Sequence, residues 1–296
     1  MALEKLLAVW MGIIMNIAAS NAPDTGKAAT LAIPSTGQFT LTASANGRRY
    51  RIFVAYPRDE APREGYPVIY LLDGNATFLI GAEAVRLQTR KPKGFEPAVL
   101  VAVGYETDEP FDVVRRYFDY TTPASPSDLP PRRIDEPWPE LGGADAFLDF
   151  IEKDLKPEIE LRLPINRDRQ TLFGHSLGGF FTLYTLFTRP HLFSSYVAGS
   201  PSIWWNKGEL LDRAGTLAGN APDLRGKRLL IGIGGDELDD MLADSRRMAA
   251  LLPSLVARGL EFQYAEFAGE EHMTVLPALV SRTIGFSLVH REGARR

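Results

Sequence analysis

The sequence predicts an α/β fold with a mostly parallel central sheet, an antiparallel N-terminal part and helices on both faces. Two observations lead to this prediction. Short apolar runs, typical of strands buried on both faces, alternate along the chain with segments whose apolar residues recur at helical spacing. Near the N-terminus, two segments instead alternate apolar and polar residues, as half-exposed strands do. Strands and helices in alternation form right-handed βαβ units, and these build a mostly parallel sheet.

The antiparallel part is predicted from residues 38–43 and 49–56, where apolar and polar side chains alternate. Asn46-Gly47 lies between them, and this dipeptide favours the tight turn of a β-hairpin because both residues tolerate positive φ. We therefore expect these two segments to pair as antiparallel neighbours at the start of the sheet.

The parallel part is predicted from the buried-strand runs and the helical patterns between them. The expected strands are residues 67–72, 98–103, 170–173, 228–233 and 262–267. The expected helices are residues 80–89, 145–161, 177–187, 239–257 and 274–289. In residues 145–161 the apolar side chains form a single stripe, which indicates a helix packed on the sheet.

Residues 121–143 carry six prolines and show no periodicity. Long irregular segments in compact domains are usually functional loops or disordered. Because this segment stands between a strand end and the helix that precedes the strongest motif of the chain, we expect a loop on the substrate side.

The composition is that of an ordinary globular protein and excludes several classes of function. The 296 residues are 45% hydrophobic, carry a formal net charge of −4 and show no linker-like change in composition, so residues 23–296 are predicted to form one domain. No cluster of Lys and Arg is present, which argues against a nucleic-acid partner. The chain has no cysteine, which excludes disulfides, thiolate nucleophiles and Cys-ligated zinc.

The N-terminus has the pattern of a signal peptide. Lys5 precedes an apolar run over residues 6–19, and the small residues Ser20 and Ala22 follow. The run is too short for a comfortable membrane span, so no stable span is expected. Residues 1–22 are thus predicted to be a signal, with a periplasmic or secreted protein after cleavage. An ordinary N-terminal helix, and a cytoplasmic location, remain the alternative because Glu4 weakens the positive end.

The strongest motif is Gly174-His175-Ser176-Leu177-Gly178, which matches the nucleophile elbow G-x-S-x-G of the α/β-hydrolase fold. A predicted strand enters the motif and a predicted helix leaves it, which is the context that the elbow requires. The turn forces the serine into a strained backbone conformation, so glycines are needed beside it. A plain glycine-rich connection is the alternative interpretation.

A serine hydroxyl needs a base to take its proton, and His272 is the best candidate. It follows the last predicted strand and obeys the chain order Ser, acid, His of this fold. The other histidines lie in the elbow, after a helix and in the C-terminal tail: His175, His191 and His290. A solvated loop histidine is the alternative.

The acid should follow the preceding strand, where Asp236 and Glu237 come directly after a run of glycines. A carboxylate there would fix the histidine tautomer and offset the imidazolium charge. Glu237 is the first choice and Asp236 the second. The alternative is that these residues, with Asp239 and Asp240, supply negative charge to the N-terminus of the next helix.

The oxyanion of an acyl-transfer intermediate needs preorganised N–H donors. Leu177, directly after the serine, would supply one. Asn75, in the loop after the strand of residues 67–72, is expected to supply the second. A simple turn is the competing interpretation of the Asn75 loop.

Four features resemble the putative-esterase branch of the α/β hydrolases, and within it the esterases that open siderophore trilactones of the enterobactin and bacillibactin type. They are Leu71-Leu72-Asp73-Gly74, Gly142-Gly143-Ala144 with Phe147, Gly174 to Gly179, and Ser200-Pro201-Ser202-Ile203-Trp204-Trp205. The last is the most specific, because the elbow is common to serine esterases and the paired tryptophans are not.

The resemblance implies that Ser176 and His272 are catalytic and that Glu237 stands where related members keep their acid. It also places Arg116 near the site, where it could contact an anionic substrate by two hydrogen bonds, unless it only forms a surface ion pair with Asp119. Gly74 is expected at the same site.

Trp204 and Trp205 could stack on catechol rings, or they could be core side chains.

The function expected from these residues is ester hydrolysis through an acyl-enzyme, with a catecholate siderophore trilactone, ferric or iron-free, as small-molecule substrate. No metal or organic cofactor is required, because any iron would belong to the substrate. The alternatives are a general carboxylesterase, a feruloyl-type aromatic acyl esterase, and a non-catalytic binding protein on the same fold.

Overall fold

The computed structural model describes residues 32–131, 136–220 and 223–289. The predicted signal segment, residues 1–22, and His290 lie outside them. Within the described ranges, no helix has the length and apolar character needed to cross a membrane.

The strands of the described chain form one sheet in the order β1-β2-β4-β3-β5-β6-β7-β8. Their bounds are β1 Thr36–Thr42, β2 Arg49–Ala55, β3 Tyr66–Leu71, β4 Val99–Gly104, β5 Ile165–His175, β6 Ser195–Gly199, β7 Arg228–Gly234 and β8 Glu261–Phe267. β2 pairs antiparallel with both β1 and β4, and every other neighbouring pair is parallel. The predicted sheet, parallel with an antiparallel beginning, is confirmed.

The hairpin between β1 and β2 forms at the predicted turn. Ala43 N–H donates to the Arg48 carbonyl at 2.8 Å, and Gly47 N–H donates to the Ala43 carbonyl at 2.9 Å. Gly47 has φ 71°, a conformation that glycine adopts without steric cost. The turn therefore fixes the register in which Phe39 faces Ile52.

The helices in the described part of the chain are α1 Gly74–Gln88, α2 Val113–Tyr120, α3 Ala144–Phe150, α4 Lys156–Arg162, α5 Leu177–Thr188, α6 Trp205–Asn220, α7 Asp239–Leu251, α8 Pro253–Val256 and α9 Val275–Leu288. A π-helical turn, Ile151–Leu155, joins α3 to α4. The predicted helix over residues 145–161 is therefore a succession of two α-helices with a π-helical turn between them. Three residues near the start of α6, Asn206 to Gly208, have positive φ and kink it.

The strands carry buried side chains on both faces, as their apolar runs predict. In β3 and just beyond it, Tyr70 and Leu72 pack in one hydrophobic core, while Ile69 and Leu71 pack in a second core on the opposite face. Helices α1 and α9 contribute to the second core, and α3 and α5 contribute to the first. The sheet therefore has helices on both faces.

Helix α6, Trp205–Asn220, was not predicted from the sequence, and two shorter elements also escape the sequence patterns. Strand β6 has five residues, Ser195–Gly199, and contains no long apolar run, yet it is buried between β5 and β7. Helix α2 has eight residues, of which Asp119 and Tyr120 are buried. Both elements are too short to show a period, and only the surrounding structure stabilises them.

The carboxyl ends of the parallel strands meet at one edge of the sheet. His175, the last residue of β5, pairs with Gly199, the last residue of β6, and Gly199 pairs with Gly232 of β7. At the end of β7, Gly234 pairs with Phe267 of β8. Residues that directly follow these strands are therefore neighbours in space, which is where open α/β sheets build their sites.

Candidate active site

Ser176 lies on a sharp turn between the end of β5 and the start of α5. Its backbone has φ 61° and ψ −118°, a conformation that non-glycine residues rarely adopt. Ser176 N–H donates to the Gly199 carbonyl at 2.9 Å, and its own carbonyl accepts from Ser202 N–H at 3.0 Å and Phe180 N–H at 3.0 Å. These bonds hold the turn against β6 and the segment that follows it, so the strained conformation is imposed by its neighbours.

Two glycines make this turn sterically possible. A Cβ on Gly174 would lie 2.1 Å from the Gly178 carbonyl oxygen, and a Cβ on Gly179 would lie 2.6 Å from the Gly199 carbonyl oxygen. Gly178 is different, because a Cβ there would meet its nearest atom, on the Leu72 side chain, at 3.5 Å. The close approach of strand and helix thus depends on the first glycine of the motif and on Gly179.

His272 and Glu237 form a hydrogen-bonded pair beside this turn. The loop after β8 carries His272, the loop after β7 carries Glu237, and Nδ1 of the histidine lies 2.9 Å from Oε2 of the glutamate. The Glu237 side chain is fully buried, whereas the His272 side chain is 33% exposed. Asp236 N–H donates to the Glu270 carbonyl at 3.0 Å and ties the two loops together. A buried carboxylate thus supports an imidazole that solvent and ligands can reach.

The Glu237 carboxylate has two further donors. Its Oε1 accepts from the Ser200 hydroxyl and, at 3.1 Å, from Gly234 N–H. Burial raises the pKa of the Glu237 carboxyl, but the hydrogen bonds from His272 and Ser200 outweigh it and hold this pKa below its ordinary value. The stability that these bonds provide is present above the unfolded-state pKa and is lost as pH falls through the lowered folded-state pKa. The side chain of Asp236, by contrast, is exposed.

The His272 ring packs against His175, the residue before Ser176, with ring centroids 4.6 Å apart. His175 is 3% exposed. Burial, followed by the nearby charges of His272 and Arg116, lowers the pKa of His175 well below its ordinary value, so this ring is neutral. Among the described residues, the hydrogen-bond partner of the Ser176 hydroxyl is Ser202, with the two Oγ atoms 3.4 Å apart, rather than His272. Hydrogen bonds between nucleophile and base are often long before substrate binds.

Of the remaining histidines, His191 is exposed and lies 3.4 Å from Glu152, away from the elbow. Within the described chain, no group of three or more His, Asp and Glu side chains is arranged to hold a metal ion.

Two helix N-termini present backbone donors near the elbow. Leu177 is the first residue of α5 and Asn75 the second of α1, and first-turn N–H groups have no carbonyl partner within their own helix. The Asn75 side chain fixes the chain after β4, because its Oδ1 accepts from Tyr105 N–H at 2.8 Å and its Nδ2 donates to the Thr107 carbonyl at 2.7 Å. The start of α1 is thereby anchored.

Gly74 lies at this helix start for a packing reason. A Cβ there would lie 2.9 Å from Gly104 N, at the end of β4. The position therefore allows α1 to approach the sheet closely, and Gly74 offers a ligand no side chain.

Arg116 is paired within the protein with Asp73, so the alternative ion pair with Asp119 is wrong, while its contact with an anionic substrate stays a prediction. The Arg116 guanidinium donates to Asp73 through Nε at 3.1 Å and Nη2 at 2.9 Å, and Nη2 also lies 3.3 Å from the His175 carbonyl. Its side chain is 12% exposed. One edge of the guanidinium is thus occupied by a residue 43 positions earlier in the sequence. Asp119 instead contacts Tyr50 and Arg115.

The paired tryptophans have different environments. Trp205 is fully buried, and its Nε1–H donates to the carbonyl and hydroxyl of Thr122 at 3.3 and 3.2 Å. Trp205 therefore lies in the core, which is the alternative that the sequence left open for this ring. Trp204 is half-buried, its ring 5.8 Å from that of Trp205, and it keeps an accessible surface.

The proline-rich loop joins this aromatic group. Trp138 packs edge-on against Tyr117 at 5.4 Å and against Trp205 at 6.1 Å. At the ends of the loop, Gly143 N–H donates to the Phe118 carbonyl and Ala144 N–H to the Thr121 carbonyl. Trp138 was not identified as a candidate from the sequence. A lone tryptophan within a proline-rich segment indicates that the segment packs against other side chains, because the ring buries a large apolar area.

Comparison with known proteins gives one family and several relatives. The family model described as "Putative esterase" matches residues 43–278. The chain is 43% identical over 280 residues to the ferri-bacillibactin esterase BesA of Bacillus subtilis (strain 168). The matched region covers 90% of this chain and 94% of that protein.

Solved structures give the same result. The BES protein from Bacillus cereus is similar with a TM-score of 0.81 at 35% identity, covering 90% of this chain and 100% of that chain. The siderophore hydrolase EstB from Aspergillus nidulans is similar with a TM-score of 0.74 at 32% identity, again covering 90% of this chain and 100% of that chain.

The glycine geometry predicts which positions of the elbow tolerate a methyl group. Gly174→Ala and Gly179→Ala should each lower the free energy of unfolding by about 1–3 kcal/mol, because the added Cβ collides with backbone. Gly178→Ala has room for its methyl group and is the matched control, with an expected loss below about 0.5 kcal/mol. Urea denaturation of the three variants tests this, and equal stability of all three would contradict the steric account.

Proposed function

The chain belongs to the family described as "Putative esterase" and is an ester hydrolase of the α/β-hydrolase fold, and we propose a substrate for it. The proposed substrate is a catecholate siderophore trilactone, ferric or iron-free. The sequence resemblance to this family and the predicted enzyme class are confirmed. The substrate proposal is supported by the ferri-bacillibactin esterase that is 43% identical to this chain, and by the siderophore hydrolase with the same fold.

The observation that carries the proposal is the strained turn at Ser176 beside the 2.9 Å pair of His272 and Glu237. With Nδ1 engaged by Glu237, Nε2 is the ring nitrogen that remains for the serine. A strained elbow, an imidazole and a buried carboxylate, each at the end of a different parallel strand, are the parts of a serine-hydrolase triad.

The proposed reaction uses these groups in two halves. Ser176 Oγ attacks the ester carbonyl as His272 takes its proton, and the N–H groups of Leu177 and Asn75 stabilise the oxyanion. The intermediate collapses, His272 protonates the departing alcohol, and an acyl-enzyme remains. Water then attacks the acyl carbon with His272 as base, and Ser176 recovers its proton. In a trilactone the released alcohol is the hydroxyl of the seryl backbone, so the product is a linear chain.

The accessible face of Trp204 is proposed to contact a catechol ring. The buried Trp205 packs against Trp204, and Trp138 of the proline-rich loop packs in turn against Trp205. Aromatic stacking adds about 0.5–1.5 kcal/mol beyond burial, which is enough to favour an aromatic substrate over a simple acyl ester.

The nucleophile is tested with the substrate itself. Wild-type protein incubated with a catecholate trilactone should yield linear catechol-serine products in mass spectrometry, and Ser176→Ala should yield none above background, because no acyl-enzyme can form. A fluorophosphonate probe should label the wild type only. Equal degradation by both proteins would contradict the serine mechanism, and a preference for short p-nitrophenyl esters over the trilactone would contradict the substrate.

The acid is tested by a pair of adjacent carboxylates. Glu237→Gln should lower kcat by about 10²–10⁴-fold, because the amide cannot fix the histidine tautomer or offset the imidazolium charge. Asp236→Asn, one residue away and exposed, is the matched control and should keep kcat within about twofold. Steady-state kinetics of both variants would refute the assignment if Asp236→Asn were the more damaging change.

The two tryptophans should separate binding from stability. Trp204→Ala should raise KM for the trilactone about 2–10-fold with little change in melting temperature, since it loses a stacking contact of about 0.5–1.5 kcal/mol. Trp205→Ala should lower the free energy of unfolding by about 3–5 kcal/mol, because it empties a core position. Unchanged KM in Trp204→Ala would argue against the catechol contact.

A further inference from the structure

The segment after β6, Ser200 to Ser202, begins the most specific motif of the sequence, and the proposed reaction gives these three residues no role. It lies at the carboxyl end of β6, between the elbow that follows β5 and the acid-bearing loop that follows β7. Ser200 is fully buried and Ser202 is 2% exposed. Buried hydroxyls need hydrogen-bond partners, so the partners indicate what the segment does.

Both serines contact residues that the proposed reaction uses. The Ser200 hydroxyl donates to Oε1 of Glu237, while Ser200 N–H donates to the Gly232 carbonyl at 2.7 Å. Ser202 N–H donates to the Ser176 carbonyl at 3.0 Å, and its hydroxyl lies 3.4 Å from that of Ser176. One side of the segment therefore faces the acid and the other faces the nucleophile.

The backbone of Ser200 adds a second observation. Its φ is 39°, in the left-handed region that glycine occupies without cost. A serine in this conformation is strained, and such strain persists only where the surrounding structure imposes it, often at functional sites. The atoms that distinguish serine from glycine here are Cβ and the hydroxyl that reaches Glu237.

The charged and titratable surroundings of Glu237 are few. His272, from the loop after β8, is the titratable group that acts on it directly. His175, at the end of β5, reaches it only through the His272 ring, and the side chain of Asp236 is exposed. Glu271, next to His272, is also exposed. Ser200 and Gly234 are therefore the neutral donors that fix the far oxygen of the carboxylate.

We propose that Ser200 is a positioning residue: its hydroxyl holds the Glu237 carboxylate ionised and turned toward His272, and thereby sets the lower end of the pH range in which the ester is cleaved. The inference rests on the proposed roles of Ser176, His272 and Glu237. Oε1 is held by two donors, and this orientation leaves Oε2 directed at Nδ1 of the histidine.

Loss of the hydroxyl has a defined direction of effect. With one donor fewer, the buried carboxylate is less well stabilised, so the pKa of Glu237 rises. Once it is protonated, the carboxyl group no longer fixes the His272 tautomer or offsets the imidazolium charge, so ester cleavage fails. The acidic limb of the pH–rate profile therefore moves to higher pH, by about one to two pH units for one hydrogen bond to a charged group.

The experiment measures kcat/KM for a p-nitrophenyl ester and for the trilactone from about pH 3.5 to 9, a range that includes the titration of a carboxyl group, in wild-type protein and in the variants Ser200→Ala and Ser200→Gly. Both lose the hydroxyl, but glycine relieves the positive-φ strain and alanine keeps it, so their melting temperatures should differ. The inference expects the same upward shift of the acidic limb in both. If the more stable of the two variants kept the acidic limb of its profile at the wild-type pH, the inference would be overturned.

Two further variants separate positioning from a general loosening of the segment. Ser202→Ala removes a neighbouring buried hydroxyl that does not contact Glu237, and its acidic limb should stay at the wild-type pH whatever happens to its kcat. In a Glu237→Gln background, Ser200→Ala should cost no more than about twofold, because a residue that acts through the carboxylate has nothing left to act on. A full additional loss in the double variant, or an equal shift in Ser202→Ala, would overturn the inference.

The outcomes also distinguish this inference from the proposed function. If Ser176→Ala still hydrolyses the trilactone, the proposed function fails and the positioning role fails with it. If Ser176→Ala is inactive and Glu237→Gln is impaired, but the Ser200 variants keep the wild-type profile, the positioning role alone is refuted.

Discussion

The sharp turn at Ser176 is the constraint on which the site depends. The chain leaves a buried strand, reverses into a helix within one residue, and holds that residue at φ 61°. Such a conformation costs about 1–3 kcal/mol and persists only because β6 and the segment after it bind the turn through backbone hydrogen bonds. The hydroxyl is thereby presented above the edge of the sheet at a fixed position. The strand order then decides which loops can reach it: the loops after β3 and β6, the neighbours of β5, and the loops after β4, β7 and β8 at the same edge.

The electrostatics of the site depend on unequal burial of its ionisable groups. Glu237 is enclosed and keeps its charge because three donors surround it, whereas His272 is partly exposed and His175 is enclosed and neutral. A buried carboxylate without these donors would take up a proton. A fixed negative charge beside an accessible imidazole is the arrangement that the proposed proton transfers require.

The sequence predicted the fold and part of the site, and the rest depended on tertiary contacts. The elbow motif and the buried-strand runs are local patterns in the sequence, so the sheet and the candidate nucleophile could be predicted from them. Strand Ser195–Gly199 could not, because five residues carry no period. Glu237 and Asp236 are adjacent and chemically alike, and only burial separates them. The partners of Arg116 and Trp205 could not be predicted, because Asp73 and Thr122 are distant from them along the chain.

The placement of Arg116 bears on how the proposed oxyanion donors are held. One planar guanidinium is fastened to Asp73, at the start of α1, and to the carbonyl of His175, at the end of β5. These are the two chain segments from which the proposed oxyanion donors extend. Arg116 therefore links these two segments within the folded protein itself. Donors held in place in this way would meet a developing negative charge without rearrangement, which is the preorganisation that makes an oxyanion site effective.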